Sequence, residues 1–277
     1  MSIFPHETGF GATVEITDIN ELYSEQAGPR LMEALNRFQI LVFTELSTDL
    51  QLFSRFARSL GRLVRHDFVS GLSQDPYIHE IYKAPDHLQN FGESWHSDGA
   101  YLASPPRAVL LQALEVPQNG GDTLWCCQIA AYAALRHELQ TSLQAHSVRH
   151  EAASVFEGYP EGRVKNVAKG ANHPLYRWIP ERKEIALFHS GHCARHIVGM
   201  PDCESAEYLD ALLNAAVGPR QYRHAWRPGD LVLWDNRTTM HSALNDYHGA
   251  ARRMRRAMIG GQKPVFPPLK ADRSKTL

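Results

Sequence analysis

His96 and Asp98 stand two residues apart in the run Trp95-His96-Ser97-Asp98. In an extended segment alternate side chains point to one face, so an imidazole and a carboxylate converge on one point. Each is a ligand for a divalent metal, and a third donor lies far along the chain. His241 follows an apolar run and the turn Trp234-Asp235-Asn236-Arg237, where a strand-built scaffold presents side chains at its mouth. Two histidines and one carboxylate on one face of Fe(II) leave the opposite positions open for substrate and oxygen chemistry. The bland alternative is that two polar residues meet at this spacing by chance. Of the fifteen histidines, only His96 sits in an HxD or HxE arrangement.

A second constellation is Arg252-Arg253-Met254-Arg255-Arg256. Its simplest reading is a solvated basic strand or a nucleic-acid patch. Strand alternation offers another, because Arg252, Met254 and Arg256 share one face and Arg253 and Arg255 the other. If the first face turns inward, two guanidiniums enter a cavity. A buried guanidinium needs an anion, and its fork matches a carboxylate. Beside a metal, such arginines imply a carboxylate-bearing substrate or cosubstrate.

The elements that must position these residues are legible as periodic patterns. Residues 12–16 alternate like a half-buried strand. A helix follows with Pro29 in its first turn and Leu31, Leu35 and Phe38 on one face, and 39–43 read as a buried strand. Ser47 or Thr48 caps a second helix whose Leu50, Phe53, Phe56, Ala57 and Leu60 form a stripe ended by Gly61. From 63 to 92 turn formers scatter, which reads as loops around a site, with His66, His79 and His87 among them. Residues 108–114 form a strand, and Gly120-Gly121-Asp122-Thr123 turns tightly into another. A helix is expected over 129–143, an irregular excursion over 150–180, a strand at 185–188, and a helix capped by Ser205 that stops at Gly218. Residues 221–226 and 231–234 are expected to pair as a hairpin through Arg227-Pro228-Gly229-Asp230, and 252–259 form a last strand. The tail from about 264 is expected to fray. No repeat or linker divides residues 1–277, which read as one domain, mainly β with flanking helices, a sandwich or barrel.

Composition narrows the partners. Lys+Arg 29 against Asp+Glu 30 gives a net charge of -1, which offers no overall attraction to nucleic acid. No stretch approaches the roughly 18 apolar residues of a membrane span, and the first residues do not form a leader peptide. Cys126 and Cys127 are adjacent while Cys193 and Cys203 lie apart, so no CxxC pattern appears. These features predict a cytoplasmic protein that acts on a small molecule, with no nucleic-acid or membrane partner.

Together these motifs resemble the Fe(II)- and 2-oxoglutarate-dependent dioxygenases typified by taurine dioxygenase and chlorophenoxyacetate dioxygenase, the TauD/TfdA family. The resemblance runs from Gly11-Ala12 to about Gly261. It rests on Trp95-His96-Ser97-Asp98, Pro105-Pro106, Gly120-Gly121-Asp122-Thr123, Arg227-Pro228-Gly229-Asp230-Leu231, Trp234-Asp235-Asn236-Arg237 with His241, and Arg252 with Arg256. It implies a double-stranded β-helix, a cupin-like jelly roll with outer helices. It implies His96, Asp98 and His241 as catalytic iron ligands, Thr123 and Arg252 on the distal carboxylate of 2-oxoglutarate, and Arg256 and His66 near a substrate anion. The cofactors would be Fe(II), 2-oxoglutarate and O2. The implied reaction couples oxidative decarboxylation of 2-oxoglutarate, to succinate and CO2, with hydroxylation, cleavage or desaturation at an unactivated C–H bond of a small anion: a sulfonate, sulfate ester, carboxylate or amino-acid-like molecule. Dimers and tetramers are common in the family, so a homo-oligomer is also an expectation.

Some residues depart from the pattern. Asp67 follows His66 where the taurine enzyme has proline, and Cys126-Cys127 follow Trp125 where relatives usually carry an acidic residue. His192 is expected to line the substrate pocket. His189, His192 and His196 would bind zinc only if helical, and 185–188 read as a strand. Related halogenases carry a small residue at the Asp98 position, so its presence favours oxygenation. The rival readings are an inactive or non-oxygenase metal-binding jelly roll, which a missing ligand would have marked, and a zinc hydrolase, which would need an HExxH motif.

Overall fold

The computed structural model describes residues 1–153, 170–191, 193–218 and 220–268. The chain enters through β1 (Ser2–Pro5) and β2 (Ala12–Glu15), then α1 (Ile19–Leu22), α2 (Ala27–Phe38) and β3 (Ile40–Phe43). It continues through α3 (Leu50–Ser59), β4 (Leu63–Val64), β5 (Ile78–Lys83), β6 (Ala108–Glu115) and β7 (Thr123–Cys127). Two short helices follow, α4 (Gln128–Ala134) and α5 (His137–Ser142), then β8 (Ser147–Glu151), β9 (Gly170–Pro174), β10 (Tyr176–Ile179), β11 (Glu184–Leu187) and β12 (Ala194–Ile197). The last elements are α6 (Asp202–Val217), β13 (Gln221–His224), β14 (Leu231–Asp235), β15 (Thr239–Ala243) and β16 (Arg252–Ile259).

Eight strands form the main sheet in the order β1-β2-β3-β14-β6-β16-β4, with β5 also paired to β16. Alternation along each central strand feeds two different cores. Leu41 and Phe43 of β3, Leu110 of β6 and Leu231 and Leu233 of β14 pack with Leu31, Leu35, Phe53 and Phe56 of α2 and α3. Their neighbours Ile40, Val42, Val109, Leu111, Val232 and Trp234 face the other way and meet Trp125 and Cys127 of β7. β7 is the middle strand of a small sheet, β13-β7-β15, whose outer side chains Cys126 and Met240 pack against Leu209, Leu212 and Ala216 of α6. Strands buried on both faces must be apolar throughout, which is why β3 and β14 read as continuous hydrophobic runs. Each fully buried Leu, Ile or Phe contributes about 1.5–3 kcal/mol to holding these layers together.

Several expectations need correction. Among the described residues the strands form one eight-stranded sheet, one two-stranded sheet and two three-stranded sheets, and none closes into a barrel. The fold is therefore mixed α/β with several sheets, neither the mainly β sandwich or barrel that the strand pattern suggested nor the double-stranded β-helix that the family resemblance implied. Residues 221–224 and 231–235 do not form a hairpin: β13 pairs with β7, whereas β14 pairs with β3 and β6. The Pro228-Gly229 turn passes the chain from one sheet to the other. The loop region after α3 contains β5, which runs antiparallel to β16 from Arg252↔Lys83 to Ala257↔Ile78. α3 is capped by Asp49, whose carboxylate accepts from the Leu52 amide at 2.9 Å, and not by Ser47 or Thr48. Ser205 lies inside α6, its hydroxyl accepting from the Ile197 amide at 2.7 Å. The helix expected over 129–143 breaks at Leu135, which is extended. Within the expected excursion, β8, β9 and β10 are regular strands, and 154–169 fall outside the described residues.

β8 and β9 carry His150 and His173, which pack with Phe188 at ring separations of 5.0 and 5.2 Å. Burial keeps His150 well below the ordinary histidine range and lowers His173 and the nearby His189 to about 4. The folded state holds all three neutral, whereas the unfolded chain takes up their protons below about pH 6.5. Unfolding free energy should therefore fall as pH drops from about 6.5 toward 4, each histidine adding about 1.4 kcal/mol per pH unit in that window. Urea denaturation at pH 7, 6 and 5 of wild type and His150→Phe checks this. A pH slope that the substitution leaves unchanged would show that His150 does not titrate on unfolding.

Candidate metal centre

His241 lies on β15 opposite Trp125 of β7, so its ring faces the space between the two sheets. The 95–98 segment joins β15 through one bridge: the His96 amide donates to the His241 carbonyl at 3.0 Å, and the His241 amide donates back at 2.8 Å. This places the His96 and His241 rings 4.1 Å apart. Donor atoms of His96, Asp98 and His241 all fall within 4.8 Å of one another, and all three residues are buried. Gly92 permits this packing. It has a φ of +81°, and a Cβ there would come within 3.0 Å of His96 Cε1.

Each ligand is prepared for a cation. His96 Nδ1 donates to the Ser94 carbonyl at 2.7 Å, which fixes Nε2 as the lone-pair nitrogen. Burial, reinforced by His241, lowers the His96 pKa to about 3, so the imidazole stays neutral. Burial alone would raise the Asp98 carboxyl, but Arg256, His241 and His96 outweigh it and bring it down to about 2. Asp98 Oδ1 accepts from Arg256 Nη1 at 2.9 Å. Oδ2 is buried, without a hydrogen-bond partner among the described residues, and 3.7 Å from His241 Nε2. A buried carboxylate oxygen left open beside two imidazoles fits a divalent metal ion.

Asn236 holds this ligand from behind. Its Oδ1 accepts from the Asp98 amide at 2.9 Å, and its Nδ2 donates to the Asp98 carbonyl at 2.9 Å and the Pro106 carbonyl at 3.0 Å. Asn236→Ala should weaken Fe(II) binding roughly 10–100-fold, as outer-shell changes do. Chelator competition measured beside the apoprotein melting temperature tests it. A lower melting temperature with unchanged iron affinity would make Asn236 structural only.

Arg252 and Arg256 both point inward, with exposures of 3% and 4%. Arg252 Nε donates to the Gly121 carbonyl at 3.2 Å, and its Nη2 reaches Thr123 Oγ1 at 3.4 Å. Trp226 Nε1 donates to the same hydroxyl at 2.9 Å. With two donors on its oxygen, the Thr123 hydroxyl has its proton to give. Arg256 belongs first to Asp98, and its buried Nε has no partner among the described residues.

A cavity of about 570 Å³ opens over His96 and Asp98, lined also by His66, Phe91, Tyr101, Leu102 and Met258. His66 Nδ1 accepts from the Phe68 and Val69 amides, each at 3.1 Å, which places its proton on Nε2. Burial, with Arg256 and His79 nearby, lowers its pKa to about 3, making it a neutral donor. His192 lies outside the described residues. His189 precedes β12 and His196 lies on it, so the two share no helical face, as the strand reading of 185–188 implied. The sequence assigns no role to Asn236 or Trp226: Asn236 lies inside the Trp234-Asp235-Asn236-Arg237 motif, whereas nothing local marks Trp226.

A buried facial triad at the mouth of paired sheets, with inward arginines beside it, defines a non-haem iron enzyme that takes carboxylate-bearing ligands. The chain belongs to the taurine catabolism dioxygenase TauD, TfdA family, whose model matches residues 2–258. It is 31% identical over 249 residues to an alpha-ketoglutarate-dependent sulfate ester dioxygenase of Pseudomonas putida, covering 85% of this chain and 81% of that protein. It is 32% identical over 273 residues to the alpha-ketoglutarate-dependent 2,4-dichlorophenoxyacetate dioxygenase of Cupriavidus pinatubonensis, covering 90% and 93%. Among solved structures, a taurine dioxygenase from Burkholderia xenovorans matches with TM-score 0.78 and 25% identity over 96% of this chain and 93% of that one. AAD-2 in complex with Mn(II) and N-oxalylglycine matches with TM-score 0.82 and 26% identity over 95% and 98%. The chain is an Fe(II)- and 2-oxoglutarate-dependent dioxygenase that oxidises a small anionic substrate.

Proposed function

We propose that the dioxygenase hydroxylates a carbon of a small anion with an apolar body, such as a sulfate ester, sulfonate or aryloxy carboxylate. The observation that carries this reading is the joining of three charges in one buried space: Asp98 Oδ2 facing both imidazoles, Arg252 beside Thr123, and Arg256 with an unused Nε. Fe(II) held by His96, Asp98 and His241 would supply the oxidative decarboxylation of 2-oxoglutarate. Arg252 and the Thr123 hydroxyl bind the distal carboxylate of that cosubstrate. Arg256 Nε and His66 Nε2 address the substrate anion, while Phe91, Tyr101, Leu102 and Met258 exclude water around the rest of the molecule. The relatives that act on sulfate esters and 2,4-dichlorophenoxyacetate support both halves of this substrate class.

Residues 1–277 are proposed to form one dioxygenase domain acting in the cytoplasm without a nucleic-acid partner, consistent with its near-zero net charge. Among the described residues no helix is long and apolar enough to cross a membrane. The test is succinate formation by the iron-loaded enzyme with alkyl sulfates, alkyl sulfonates and aryloxyacetates, against neutral analogues of equal size. Equal turnover of the neutral analogues would sink the anion assignment.

A further inference from the structure

A second concentration of positive charge, only partly balanced by carboxylates, lies apart from the metal centre. Arg177 on β10 is 3% exposed, with its guanidinium 3.9 Å above the Phe188 ring. Its one hydrogen bond runs from Nη2 to the Asn236 carbonyl at 3.1 Å, and its buried Nε has no partner among the described residues. The carboxylate that acts on it, Asp235, is occupied by Arg237 through Nε at 3.0 Å and Nη2 at 2.9 Å. A buried guanidinium without a carboxylate of its own is costly unless a ligand supplies the negative charge.

The surroundings are built to admit one. Arg177 lines a cavity of about 200 Å³ between β10, the Pro105-Pro106-Arg107 segment and the chain after β16. Arg107, Arg237 and Lys263 join it there, against the single carboxylate of Glu181. Glu181 is shared between Arg237, at 2.9 and 3.0 Å, and Arg107, whose Nη2 lies 3.6 Å away, so one carboxylate faces two guanidiniums and leaves Arg177 and Lys263 unbalanced. Arg107 spends Nη2 on Asn36 at 3.1 Å, and its buried Nε has no partner among the described residues. Lys263 stands exposed at the rim, and the Trp178 amide donates to the Val265 carbonyl at 3.0 Å, fixing the wall behind it.

We propose that this cleft is a second anion site, which takes a tetrahedral oxyanion of the sulfate or phosphate class on Arg177, Arg107 and Lys263. Among the described residues nothing in it provides a metal ligand set, and its volume of about 200 Å³ admits a small inorganic ion or a terminal sulfo or phospho group. Asn236 separates it from the iron ligands, with its carbonyl on Arg177 and its side chain on Asp98.

Equilibrium dialysis of the metal-free full chain with radiolabelled inorganic sulfate, and separately with phosphate, at low ionic strength tests the proposal. Arg252→Leu with Arg256→Met removes both inward guanidiniums beside the triad and should leave one saturable site. Arg177→Met, which keeps the packing on Phe188, should weaken that site about 10–100-fold, the effect of losing charged hydrogen bonds. Should Arg177→Met not fold, Lys263→Ala at the exposed rim should weaken it roughly 2–5-fold. Absence of saturable binding in the Arg252→Leu, Arg256→Met protein, or equal binding in that background before and after the Arg177 and Lys263 changes, overturns it.

Discussion

Asp98→Ala should lose Fe(II) affinity by more than the roughly 10–100-fold of an outer-shell change, and should unfold about 3–5 kcal/mol more easily. The two losses have different causes. The first follows from removing the open Oδ2, the only charged donor in the set of His96, Asp98 and His241. The second follows because Arg256, 4% exposed, is left buried with a charge that Asp98 Oδ1 had balanced at 2.9 Å. They separate in a double variant. Asp98→Ala with Arg256→Met removes the orphaned charge, so stability should largely return while iron binding does not. Urea denaturation of the apoproteins measures one effect, and anaerobic Fe(II) titration by chelator competition measures the other. If the double variant were no more stable than Asp98→Ala, the buried ion pair would not be what the single substitution breaks.

Arg252→Leu should keep Fe(II) and lose 2-oxoglutarate. Truncating one member of a buried charged pair costs about 2–5 kcal/mol, a roughly 30- to 4,000-fold rise in Kd. Arg252 is the right place for so large an effect. It is buried, and its contacts are with neutral acceptors, the Gly121 carbonyl and the Thr123 hydroxyl, so its charge is reserved for a ligand. Thr123→Val removes only a neutral hydroxyl and should cost about 0.5–1.5 kcal/mol. The readout is the visible charge-transfer band of the anaerobic Fe(II) and 2-oxoglutarate complex. In Arg252→Leu it should require far more 2-oxoglutarate while iron affinity holds. Unchanged 2-oxoglutarate dependence would move the distal carboxylate to another cation, with Arg256 the first to test by the same titration.

How much of this was legible before folding depended on the range of the interaction involved. The alternation of Arg252, Met254 and Arg256 was readable because a strand has period two. The structure bears it out, with Arg253 and Arg255 turned to the other face over Tyr82 and Phe53. The pairing of β13 with β7 instead of β14 was not readable, because both strands carry the same local pattern. Their partners are chosen by which apolar face each can bury. Closure of the strands into a barrel was inferred from the run of short strands and from family likeness, and the hydrogen-bonded pairing of the sheets overturned it.

The site divides in the same way. Residue types and short spacing determined that His96 and Asp98 share a face and that Arg252 and Arg256 travel together, whereas His241 was marked by its place after Trp234-Asp235-Asn236-Arg237 and by the family resemblance. The first two are properties of a few consecutive residues and need only local backbone geometry. Only the tertiary structure decided that Arg256 first balances Asp98, that Asn236 clamps the Asp98 backbone, and that Trp226 orients the Thr123 hydroxyl. Each of these joins residues more than a hundred positions apart. Their distances are set by how two sheets pack on a shared core, and no local pattern carries that information.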